Sequence, residues 1–115
     1  MKYTDGKNIM VYAQSADGAP VGAALETVSK AAELAKANGE EVIAVVFGKD
    51  TDTKTMITAG ASKVLVAGEE GLPAEEKAQI LVKLAEKYQP KAVYMAGTPE
   101  GKMIAPAVSA VFESG

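Results

Sequence analysis

The chain has 115 residues, of which 48% are apolar and 23% charged, and fits within one ordinary globular domain. It has no Cys and no His, which excludes zinc and iron–sulfur centres, Cys or Ser/His nucleophile systems and His-based proton transfer, and leaves no metal site expected. All 12 basic residues are Lys and the net charge is −3, so nucleic acid is not an expected partner.

The N-terminal stretch Met1-Lys2-Tyr3-Thr4-Asp5-Gly6 lacks the apolar run of a signal peptide, and no segment is apolar enough to span a membrane. A soluble, cytoplasmic chain is expected. The first strand is Asn8-Ile9-Met10-Val11-Tyr12-Ala13, and Gly18-Ala19-Pro20 breaks it before a helix over 22–38, with Leu25, Val28, Ala32 and Ala35 at helical spacing. Asn38-Gly39 supplies a left-handed cap. The second strand, Glu41 to Phe47, is almost continuously apolar, as a strand covered on both faces requires.

Asp50 reads as the N-cap of a short helix that ends near Ala59 at Gly60, and Lys63 to Ala67 is the third strand. Gly71-Leu72-Pro73 opens the next helix with Pro in its first turn, Glu75 and Glu76 near its positive end, and a stripe of Ile80, Leu81, Leu84 and Tyr88. Gln89-Pro90 stops it. The fourth strand is Lys91 to Ala96, and a last helix runs from Pro99 to Phe112, with Pro106 expected to loosen its first two turns.

Four strand–helix units with short loops predict an α/β fold: a doubly wound, mainly parallel sheet of four strands with helices on both faces. The chain reaches Glu113-Ser114-Gly115 straight after a helix that would carry it back to a further strand. That leaves the fourth strand with an unpaired edge, through which self-association is expected.

Ligands of open parallel sheets bind at the carboxyl ends of the strands, which singles out two loops. In the first, Gln14 to Pro20, Asp17 is a candidate ligand residue, although Asp17-Gly18 also reads simply as a turn. The second is Gly97-Thr98-Pro99-Glu100-Gly101-Lys102, whose free backbone N–H groups at a helix start suit an anion. Gly97, Thr98, Gly101 and Lys102 are the candidate nucleotide or partner residues there. Against a nucleotide, Thr98 is placed to cap the helix and Glu100 puts a negative charge in its first turn. No catalytic residue is evident. The acid pairs Glu40-Glu41, Glu69-Glu70 and Glu75-Glu76 read as solvated surface, and Met10, Met56, Met95 and Met103 as core filler.

The runs Ile9–Ala13, Ala24–Ala35, Val42–Gly48, Ala59–Val66 and Pro90–Pro106 together resemble the N-terminal domain of the electron transfer flavoprotein alpha subunit. The resemblance covers nearly the whole chain, 1–115, and is most specific in the small-residue turn, Lys102 and Ala105-Pro106. It implies an adenine nucleotide alpha hydrolase-like sheet that serves as a platform against the beta subunit. It also implies a carrier, not an enzyme, fed by acyl-CoA or other flavin dehydrogenases. FAD is then held mainly by a C-terminal domain absent from this sequence, so no flavin-binding residue is carried over. Lys102 stands where the family usually has Arg.

The alternative from a different class is a stand-alone adenine-nucleotide-binding module of the universal-stress type. Its glycine-rich loop is not matched, because Gly97 and Gly101 are one residue too far apart and Ser109-Ala110 does not complete the pattern. A hydrolase or ligase lacks both a phosphate loop and a base.

Overall fold

The computed structural model describes residues 8–16, 18–48, 53–69, 71–96 and 98–112, the last four of these as backbone. Its elements are β1 (Asn8–Tyr12), β2 (Ser15–Ala16), β3 (Ala19–Pro20), α1 (Gly22–Asn38), β4 (Glu41–Phe47), α2 (Lys54–Ala59), β5 (Lys63–Gly68), α3 (Ala74–Tyr88), β6 (Ala92–Met95) and α4 (Pro99–Phe112). Among the described residues, four of the six strands form a wholly parallel sheet in the order β5-β4-β1-β6. From β1 the chain winds outward through β4 to β5, then crosses back to β6 on the other side of β1. The direction of winding therefore reverses between β1 and β6, where this architecture opens a crevice at the carboxyl ends.

Side-chain alternation along the two central strands builds one core on each face of the sheet. Ile9, Val11 and Ala13, with Val42, Ala44 and Val46, face α1 and α2; Met10 and Tyr12, with Val45 and Phe47, face α3 and α4. All six residues from Val42 to Phe47 are buried, in keeping with the unbroken apolar run. The edge strands β5 and β6 are only partly covered.

The buried stripe of α1 is Ala24, Val28, Ala31 and Ala35, with Leu25 and Ala32 at its margin. The expected stripe is thus rotated by about one residue, because the small side chains give the closest approach to the sheet. Gly39 ends α1 in the left-handed conformation, as read from Asn38-Gly39. Gly60 (φ 124°) ends α2, and a Cβ added there would lie 2.4 Å from Cβ of Ala32 on α1. Only glycine fits that approach without the helices moving apart.

Several local expectations change. The loop after β1 contains the two-residue antiparallel hairpin β2–β3. Pro73 stands at the cap before α3 and not in its first turn, so Ala74 begins the helix. Thr53 stands at the N-cap position of α2 without a side-chain cap bond, and Asp50 lies outside the described residues. Met103 is 69% exposed and is not core, unlike Met10 and Met56. Glu40 is not a solvated acid either: its carboxylate is 2.8 Å from Lys91 Nζ, in a pair that ties the start of β4 to the start of β6. Pro106 lies on the exposed side of α4, where water can satisfy the carbonyl it leaves unbonded.

Candidate functional site

Tyr12 and Phe47 are the last residues of β1 and β4, so both reach the carboxyl end of the sheet on the side covered by α3 and α4. They are each 2% exposed and meet edge to face, with ring centroids 5.8 Å apart. Above them, Lys77 in the first turns of α3 is buried at 3% exposure, the one buried charged side chain among the described residues. Its Nζ lies 5.4 Å from the Phe47 centroid and donates to Glu100 Oε2 at 3.0 Å and Oε1 at 3.3 Å. The Tyr12 hydroxyl donates to the same Glu100 Oε1. Glu100 sits in the first turn of α4, where the helix field favours a carboxylate, and its side chain is 25% exposed.

The turn that delivers Glu100 is held by its neighbours. Thr98 Oγ1 accepts the Gly101 N–H at 3.0 Å, as a helix cap does, and donates to Gln14 Oε1 at 2.6 Å across from the β1 loop. A Cβ on Gly101 would sit 2.2 Å from the Ala96 carbonyl oxygen, so the close approach of α4 to the end of β6 needs glycine. Thr98 and Gly101 are therefore brought together as parts of the turn, while Lys102 is exposed. Gly97 and Asp17 lie outside the described residues.

Chemically this is a neutralised pair, a lysine and a glutamate that satisfy each other beside a phenol and an aromatic ring. It braces α3 to α4 and β1. In the sequence Glu100 reads as a charge against phosphate, and nothing there pairs it with Lys77 and Tyr12. A signal was present: Lys77 precedes Leu81, Leu84 and Tyr88 at intervals of four, three and four, which puts it on the apolar stripe.

A family model described as "Electron transfer flavoprotein domain" matches residues 9–115. The chain belongs to the electron transfer flavoprotein family. It is 29% identical to the electron transfer flavoprotein subunit alpha of Clostridium acetobutylicum over 100% of this chain and 36% of that subunit. It is 28% identical to the subunit alpha of Thermoanaerobacterium thermosaccharolyticum over 96% of this chain and 35% of that subunit. The LctC subunit of an Acetobacterium woodii lactate dehydrogenase (NAD(+),ferredoxin) is 29% identical over 95% of this chain and 27% of its own length. This member of the electron transfer flavoprotein family thus spans about a third of the curated relatives it matches, and the alpha-subunit N-terminal resemblance is borne out.

Among solved structures, a universal stress protein in complex with cAMP matches with a TM-score of 0.56 at 16% identity, covering 94% of this chain and 91% of that one. That likeness shows the fold, an adenine nucleotide alpha hydrolase-like sheet. Among the described residues no helix is long and apolar enough to cross a membrane.

Proposed function

We propose that residues 1–115 form one domain, the N-terminal platform of an electron transfer flavoprotein alpha subunit, which assembles with the beta subunit and has no catalytic residue of its own. The family match over residues 9–115 carries this reading. In this reading the complex works in the cytoplasm and takes electrons from acyl-CoA or other flavin dehydrogenases. The flavin, FAD, is held by a C-terminal domain of the full subunit.

The residues at the carboxyl ends do not fit a flavin dinucleotide. In the first turn of α4, the place for a phosphate, the Gly101 and Lys102 N–H groups are taken by Thr98, Glu100 adds a negative charge, and Pro99 supplies no N–H. The role left for the domain is structural: a rigid two-core sheet whose site residues are spent on bracing. Co-sedimentation with an electron transfer flavoprotein beta subunit tests this. A one-to-one complex is expected, and a folded chain that sediments alone would refute it.

The edge of β6 is a second interaction feature. With Ala13 N–H bonded to Val45 O and the register Ile9↔Ala92 and Val11↔Tyr94, the backbone groups of Ala92 and Tyr94 turn to β1, and those of Val93 and Met95 turn to the edge, where no strand lies among the described residues. An antiparallel pairing of two copies centred on Val93 would join the outward backbone groups of Val93 to those of Val93 in the second copy. Self-association through this edge is expected at high concentration, and a clean monomer in sedimentation at all concentrations would contradict it.

A further inference from the structure

We propose that Lys77 and Tyr12 form a small oxyanion subsite at the carboxyl end of the sheet, and that the protein fills it with its own carboxylate, Glu100, closing it to outside anions. This goes beyond the platform reading and stands or falls independently of any partner.

Lys77 is costly to bury. An ammonium held at 3% exposure is strongly disfavoured unless an anion meets it, and Glu100 is the anion that does, at 3.0 Å. Two donors converge on the same carboxylate, the Lys77 ammonium and the Tyr12 hydroxyl, and Glu100 itself stands in the first turn of α4. The donors are prearranged, because Tyr12 is fixed at the end of β1 against Phe47, and the Phe47 ring faces the ammonium.

The pocket is asymmetric in its access. Both donors are almost fully buried, whereas the Glu100 side chain is 25% exposed and arrives from the solvent side. Truncating Glu100 therefore opens a water-reachable hole whose floor is a buried cation and a phenol, the environment a carboxylate or phosphate oxygen seeks. A mere brace between α3 and α4 would show no such preference, since a freely diffusing anion cannot tie two helices.

Chemical rescue separates the two. Glu100→Ala, wild type and the Lys77→Met/Glu100→Ala double variant are followed by thermal unfolding in sodium phosphate, in sodium acetate and in sodium chloride at matched ionic strength. The subsite predicts a rise in Tm that grows with the logarithm of anion concentration, to about 5 °C, in Glu100→Ala with phosphate or acetate over chloride, with no comparable rise in wild type or in the double variant. Acetate alone would define the subsite as a carboxylate site, and phosphate as one open to phosphoryl groups. No rise in either anion, or an equal rise in the double variant, would overturn the proposal. Should Glu100→Ala not fold in chloride, recovery of its helical circular dichroism in phosphate or acetate carries the same decision, and failure to recover in both overturns it.

Discussion

Lys77→Met keeps an unbranched apolar side chain and removes the ammonium that lies over Phe47, which leaves Glu100 with the Tyr12 hydroxyl as a donor among the described residues. Breaking a fully buried pair by deleting one member costs about 3–5 kcal/mol. Here the Glu100 side chain is 25% exposed, so water recovers part of its hydration and the expected cost falls to about 2–3 kcal/mol. For 115 residues the unfolding entropy is about 0.24 kcal/mol/K, which converts that loss into a drop of about 8–12 °C in Tm. The double variant Lys77→Met/Glu100→Gln strands no charge and keeps an amide oxygen for Tyr12, so it should lie within about 1 kcal/mol of wild type. Urea denaturation followed by far-UV circular dichroism measures all of these through a double-mutant cycle. If Lys77→Met stays within about 0.5 kcal/mol of wild type, the pair is not the brace described here.

Gly60→Ala forces a Cβ into Ala32 at a φ of 124° and should cost about 2–4 kcal/mol by denaturation, with α1 and α2 displaced; a neutral result would mean that their packing adjusts freely. Thr98→Val loses both the cap to Gly101 and the bond to Gln14, with an expected loss of about 1–2 kcal/mol and earlier amide exchange in the first turn of α4. Gly101→Ala meets the Ala96 carbonyl at 2.2 Å and should be the more damaging of the two changes in this turn. Tyr94→Lys places a charge on the open edge of β6 at a residue already 40% exposed; it should abolish self-association while moving stability by no more than about 0.5 kcal/mol, read by sedimentation and unfolding together.

The central architecture was legible because its strands and helices follow different periods. The unbroken apolar run 42–47 announced a strand buried on both faces, and the span of α1 and of α4 matched their patterns. What pattern alone could not carry was the pairing of charges. Glu40 and Glu100 look like surface acids until the fold brings Lys91 and Lys77 to them from 51 and 23 residues away. The hairpin β2–β3 was missed because two-residue strands have no measurable alternation. Met103 was misassigned because its apolar character matched the helix while its position falls outside the face that α4 buries, at Ile104 and Val108. In the candidate site, the Thr98 cap was readable from one residue type at a helix start, whereas Lys77 appeared only as a lysine on an apolar stripe.

The most direct test of the platform account is a calorimetric titration of this chain with an electron transfer flavoprotein beta subunit, the chain first shown to be folded. A saturable heat with one beta subunit per chain, unchanged by added AMP or ATP, is the predicted result. No heat with the beta subunit, together with saturable binding of AMP or ATP by the chain alone, would contradict the account and favour a universal-stress-type nucleotide module.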